Sequence, residues 1–130
     1  MIMMPRTRPL SLLIVDDSTV IRSRIARLVS SPQLPLIQIA GLAANGEMAL
    51  HMARETRPDL ITMDLTMPRM DGEACIEAIA GFLPDAQILV ISALSDKATA
   101  LRAILKGAHG FLHKPFTDEE LLDSLVELIA

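Results

Sequence analysis

Five short apolar runs punctuate the chain, and between and after them lie longer stretches in which apolar residues recur every three or four positions. The runs are Ser11–Val15, Leu36–Leu42, Leu60–Met63, Gln87–Ile91 and Gly110–His113. Short runs rich in Leu, Ile and Val and bounded by breakers predict buried strands. The stretches between them predict helices. Ser18 caps the first helix, whose apolar stripe is Val20, Ile21, Ile25, Leu28 and Val29, with Arg22, Arg24 and Arg27 facing outward or sideways. Pro32 and Pro35 end it. Asn45-Gly46 marks a turn into a helix over Glu47–Arg57, with Met48, Ala49, Met52 and Ala53 inward. The next helix opens at Asp71 or Gly72, carries Ala74, Ile76, Ala78, Ile79, Phe82 and Leu83, and is broken at Gly81 and Pro84. Asp96–Lys106 is helical and stops at Gly107. Thr117-Asp118-Glu119-Glu120 is a capping box for the last helix, which buries Leu121, Leu122, Leu125, Val126 and Ile129.

Five strands alternating with five helices predict an α/β fold. Strands that are apolar throughout are buried on both faces, which calls for a parallel sheet covered by helices on each side. Right-handed crossovers then make the doubly wound arrangement the default topology. All carboxyl ends of such strands point to one edge, where open α/β sheets bind their ligands.

Composition narrows the function classes. The 130 residues fit one domain with a substantial core, and half of them are apolar, which excludes a disordered chain. No apolar run approaches the about 20 residues that a membrane-spanning helix needs, and no membrane insertion is expected. Residues 1–9, from Met1-Ile2-Met3-Met4 through Pro5, Arg6, Arg8 and Pro9, read as a disordered extension, too short for a signal-peptide core, ahead of a domain over 10–130. The single cysteine, Cys75, has no disulfide partner and no companions for a zinc site, which suits a reducing cytoplasm. Between a reactive thiol and a small packing residue, packing is the reading taken. A net charge of −4 and the absence of Trp and Tyr argue against direct nucleic-acid binding.

The candidate chemistry lies in what collects at the carboxyl edge. Asp16-Asp17 follows the first strand, Asp64 the third, Ser92 the fourth and Lys114 the fifth. Singly, each has an ordinary structural role: a cap, a loop hydrogen bond, a solvated charge. Together they form three carboxylates, a hydroxyl and an ammonium at strand ends. Neighbouring carboxylates repel unless protonated or neutralised by a cation. An all-oxygen cluster suits magnesium, which completes its octahedron with water and phosphate oxygens. With Lys114 and Ser92 ready to meet an anion on Asp64, the set suggests phosphoryl transfer onto a carboxylate.

At this point the chain resembles the receiver domain of two-component response regulators, most of all the single-domain chemotaxis type. The resemblance runs from Leu12 to Ile129. It is carried by Val15-Asp16-Asp17-Ser18, by Asp64-Leu65-Thr66-Met67-Pro68-Arg69-Met70-Asp71-Gly72, by Ser92-Ala93, and by Lys106 through Lys114-Pro115-Phe116. The resemblance implies a flavodoxin-like sheet in the order 2-1-3-4-5. It implies that Asp64 is the phospho-acceptor for a sensor histidine kinase or phosphotransfer protein. Mg2+ would be held by Asp16, Asp17, Asp64 and the backbone carbonyl of Thr66. Ser92 would be the switch hydroxyl, Lys114 the phosphate partner ahead of a cis Lys114–Pro115 peptide, and Phe111 the aromatic switch. Thr66 and Leu94 would tune dephosphorylation. The output face would be the fourth helix, fifth strand and fifth helix, including Arg102, Lys106, His109, Phe111 and His113, with His113 an exposed polar residue.

The resemblance implies a signalling module rather than an enzyme, its catalysis limited to its own phosphorylation and slow hydrolysis. Three alternatives stand beside it. A true phosphohydrolase would want a second carboxylate as general acid, where position 66 is Thr. A receiver-like interaction module that is never phosphorylated would have no need of the acidic pair, acceptor, hydroxyl and lysine. The third alternative is the receiver half of a longer regulator with an effector domain.

Overall fold

The structure is a computed structural model and describes residues 8–94 and 96–130. Most of the expected extension over 1–9 therefore lies outside the described residues. Ten elements alternate along the chain: β1 (Leu10–Val15), α1 (Thr19–Leu28), β2 (Ile37–Ala43), α2 (Gly46–Thr56), β3 (Leu60–Met63), α3 (Gly72–Phe82), β4 (Gln87–Ser92), α4 (Lys97–Lys106), β5 (Gly110–His113) and α5 (Asp118–Ile129). The strands form one sheet in the order β2-β1-β3-β4-β5, every pairing parallel. This is the doubly wound sheet that the sequence predicts.

Local chemistry explains where the helices begin and end. Ser18, Asn45, Asp71, Asp96 and Thr117 each cap a helix by accepting a hydrogen bond from a backbone N–H in its first turn. Thr117 and Glu120 complete the reciprocal capping box. Gly107 ends α4 at a φ of 129°, a conformation closed to residues with a Cβ.

Two apolar layers sandwich the sheet. Alternation along the strands sends Leu13, Val15, Ile61, Met63, Ile88 and Val90 to one face, where they meet Ala49 and Ala53 of α2, Cys75, Ile76 and Ile79 of α3, and Ala103 of α4. Leu12, Ile14, Leu60, Leu89, Ile91 and Leu112 go to the other, against Ile25 of α1 and Leu121, Leu122, Leu125 and Leu128 of α5. Each fully buried Leu or Ile contributes about 1.5–3 kcal/mol. Burial pushes the Cys75 thiol up to about 12, so it packs as a small apolar group and stays unreactive.

Some apolar positions fall outside this scheme. Val20, Met48 and Val126 were expected inward and are exposed, as is Ala74. Each sits at the margin of an apolar stripe, where helical spacing alone does not say how far the sheet beneath extends. β2 and β5 are the sheet's edge strands and are only partly covered, so the two-sided burial read from their composition holds for the three central strands. A register shift in the β1–β2 pairing between Leu12 and Leu13 adds to the irregularity of that edge.

One contact ties the fold to the site. The N–H of Gly72 donates to the carbonyl of Leu65 at 3.0 Å, and a Cβ on Gly72 would run into the backbone carbonyl oxygen of Asp64 and come within 2.6 Å of the Leu65 Cα. Neither neighbour is a flexible side-chain tip that can yield. Gly72→Ala is therefore expected to lower unfolding stability by about 1–3 kcal/mol, read from the urea midpoint by circular dichroism.

Candidate functional site

The ladder carries two of the acidic residues to the carboxyl edge and fixes them there. The N–H of Asp16 donates to the Ala43 carbonyl and that of Asp64 to the Val15 carbonyl, both at 3.0 Å. Asp16 and Asp64 are buried at 1% and 4% exposure, whereas Asp17 is exposed. Asp16, Asp17 and Asp64 each offer a carboxylate oxygen within 4.8 Å of the other two. The expected triad is thus brought together.

Lys114 faces this cluster. Its Nζ lies 2.7 Å from Asp16 Oδ2 and 3.7 Å from Asp64 Oδ1, so it pairs first with Asp16. Asp16 Oδ1 also accepts from the Ser18 N–H at 2.9 Å. Asp64 is less well served, with only a long 3.5 Å contact from the Thr66 N–H beside the distant Lys114. Its carboxyl is accordingly pushed up to about 6, first by burial and then by the charge of Asp16, with Lys114 and the Thr66 N–H opposing and Asp17 adding to the rise. Three carboxylates against one ammonium leave negative charge uncompensated. A site made only of oxygen donors and short of positive charge fits a hard divalent cation.

The remaining predicted residues, Phe111 excepted, lie on the strand ends and loops at this edge. Ser92 is fully buried at the end of β4, and its Oγ accepts from the Leu94 N–H at 3.1 Å. Its carbonyl accepts from the Lys114 N–H at 2.8 Å, stitching the ends of β4 and β5 together beside the site. The Lys114–Pro115 peptide is cis. Thr66 and Leu94 are exposed on the loops that follow Asp64 and Ser92. Phe111 stands apart, partly buried against the core on the α2–α4 side of the sheet. His113 is exposed, with Nε2 3.2 Å from the Ala93 carbonyl oxygen.

Arg69 and Met70 take positive φ values of 53° and 77°, and the loop that follows Asp64 turns back there before α3.

Two arginines carry more than a helical stripe suggests. Arg22 and Arg24 were expected to face outward or sideways. Arg22 Nη1 instead donates to the Asp16 carbonyl at 2.6 Å, and Arg24 reaches Phe116 and Asp118. The six-residue separation of Asp16 and Arg22 was available as a signal for the first. Nothing local signals the second, whose partners lie 92 and 94 residues away.

The chain matches the response regulator receiver domain over residues 12–126. It is 36% identical over 113 residues to the chemotaxis protein CheY of Thermotoga maritima, covering 87% of this chain and 92% of that one. It is 40% identical over 114 residues to a protein-glutamate methylesterase/protein-glutamine glutaminase of Anaeromyxobacter dehalogenans, covering 88% of this chain but 33% of the relative. Among solved structures it resembles the CheX-CheY-BeF3-Mg2+ complex from Borrelia burgdorferi, with a TM-score of 0.87, 31% identity, and 94% and 90% of the two chains covered.

Metal-free Asp64 is expected to destabilise the fold at neutral pH. Its native carboxyl titrates at about 6, against about 4 when unfolded. The penalty is therefore full above pH 6 and is relieved as pH falls from 6 toward 4, where the native form takes up its proton first. Asp64→Asn removes it. The variant should be more stable than the parent by on the order of 1–2 kcal/mol at pH 7.5. This is less than the roughly 3 kcal/mol of full linkage, because water at the site mouth screens the charge. The gain should shrink toward pH 4.5. Urea titrations in EDTA at the two pH values check this.

Proposed function

The chain belongs to the response regulator receiver domains of two-component signal transduction, and on that footing we propose that Asp64 is its phospho-acceptor. The observation that carries the reading is the buried Asp64 carboxylate, held at a strand end beside Asp16, Asp17 and Lys114. In the reaction an Asp64 carboxylate oxygen attacks the phosphorus of a phosphohistidine on a sensor kinase or phosphotransfer protein. The P–N bond breaks, the imidazole leaves with its electron pair, and an acyl phosphate remains on Asp64. Lys114 holds negative charge on the incoming group, and Ser92 turns its hydroxyl from the Leu94 N–H toward a phosphoryl oxygen. Asp16, Asp17 and Asp64 would hold the metal together with the Thr66 carbonyl, and the all-oxygen set favours magnesium. Bound there, Mg2+ supplies the positive charge that lets the carboxylates and a phosphoryl group lie together.

Phosphorylation then biases a two-state equilibrium whose output face is α4, β5 and α5. The supporting feature is a row of exposed apolar residues on α4, namely Leu101, Ile104 and Leu105, flanked by Arg102 and Lys106. The movements of Ser92 and of Phe111 carry the bias to that face. The partner is a protein rather than nucleic acid. The Thermotoga and Borrelia relatives favour a chemotaxis pathway, and a protein partner, as CheX is in the Borrelia complex, is the kind this reading calls for. The single, buried Cys75 suits the reducing cytoplasm in which we place the domain, and no helix among the described residues is long and apolar enough to cross a membrane. Its own chemistry is self-phosphorylation and slow hydrolysis, not turnover of a separate substrate.

Incubation with acetyl phosphate and Mg2+ should add one phosphoryl group by intact mass, and Asp64→Asn should add none. A folded parent that takes up no group under these conditions makes the domain a phospho-independent interaction module.

Position 66 is Thr and position 94 Leu, neither of them an amide or carboxylate that could orient a hydrolytic water. The acyl phosphate should therefore be long-lived, and Leu94→Glu or Thr66→Asn should shorten its half-life about threefold or more, followed by mass after the donor is removed. Equal decay in parent and variants would exclude this role for the two positions.

A further inference from the structure

We propose that Arg24 is a positioning residue for Lys114, acting from α1 through the loop that joins β5 to α5. The kinetic part of the argument rests on phosphoryl acceptance by Asp64, as proposed above; the geometric part does not.

Arg24 makes more contacts than a surface ion pair requires. Its Nη2 donates to the Phe116 carbonyl at 2.7 Å, and Nε and Nη2 reach Asp118 Oδ1 at 3.0 and 2.8 Å. Its Cζ lies 4.4 Å from the centroid of the Phe116 ring, which is itself buried in the core between the sheet, α1 and α5. Only about a quarter of the Arg24 side chain is exposed. A planar guanidinium can serve a carbonyl, a carboxylate and an aromatic face at once, and a lysine ammonium cannot do so in that geometry.

The loop held in this way runs only from Lys114 to Thr117. On its amino-terminal side the Lys114 N–H is fixed to the Ser92 carbonyl at 2.8 Å. Arg24 supplies the corresponding anchor on the other side, at the Phe116 carbonyl. Between these two anchors the four-carbon Lys114 stem must bring Nζ to 2.7 Å from Asp16. The same helix holds that partner too, since Arg22 donates to the Asp16 carbonyl and Ser18 to its carboxylate. Contacts from α1 and its N-cap therefore set both members of the Lys114–Asp16 pair. Releasing the Phe116 carbonyl frees Lys114 to rotate away, and displacement of a catalytic charge by about an ångström can cost up to a hundredfold in rate.

The test compares the parent with Arg24→Gln, Arg24→Lys, Lys114→Met and Arg24→Gln/Lys114→Met. The readouts are the rate of phosphorylation by acetyl phosphate with Mg2+, and the NMR signal of the Lys114 Nζ protons without metal. Arg24→Gln should slow phosphorylation about tenfold and lose the Nζ signal that the Asp16 pair protects. Added to Lys114→Met it should change the rate by less than about twofold, because its effect passes through a lysine no longer present. Arg24→Lys keeps the charge beside Asp118 but loses the arm to Phe116, and should change both readouts in the same direction as Arg24→Gln. Multiplicative effects in the double variant, or a parental Nζ signal in either folded Arg24 variant, would overturn the proposal. A parent that accepts no phosphoryl group would instead overturn the function proposed above, and the Nζ signal would still decide the role of Arg24.

Discussion

The structure is organised around a repulsion. Asp16, Asp17 and Asp64 are held with carboxylate oxygens within 4.8 Å of one another, two of them buried, and the ammonium that faces them is nearer to Asp16 than to Asp64. An isolated chain would relax such a cluster by moving the side chains apart. Here the backbone of Asp16 and Asp64 is locked into the ladder by hydrogen bonds to Ala43 and Val15, so the charge has to be settled chemically. Proton uptake at Asp64, pairing with Lys114 and acceptance of a cation are three ways of meeting the same unbalanced field.

That confinement depends on packing far from the edge. The central strands are stiff because both faces are covered, by α2, α3 and α4 on one side and by α1 and α5 on the other. Gly72 lets the chain turn back against the Asp64 carbonyl, where any larger residue would push Asp64 out of line. The N–H of Lys114 bonded to the Ser92 carbonyl joins the two strands whose ends carry the hydroxyl and the ammonium.

The fold was largely legible in the sequence because its signals are local. Strand runs, the caps at Ser18 and Thr117, the turn at Asn45-Gly46, the helix starts at Asp71 and Asp96, and the Gly107 stop all lie within a few residues of the element they define. The alternation of strand and helix then restricts the topology, and topology alone brings Asp16, Asp17, Asp64, Ser92 and Lys114 to one edge. Marginal apolar positions were not legible. Val20, Met48 and Val126 have helical spacing but lie beyond the reach of the sheet.

Residue types and their order along the chain thus determined the architecture and the membership of the site. Tertiary structure alone decided how its charges are shared: that Lys114 lies against Asp16 rather than Asp64, that Asp64 is left with an elevated affinity for its proton, and that Arg24 meets Phe116 and Asp118. The physical reason is range. Periodicity and capping act over a turn of helix or a few residues of strand, whereas burial and Coulomb interactions depend on distances set only when residues some fifty to a hundred positions apart are packed together.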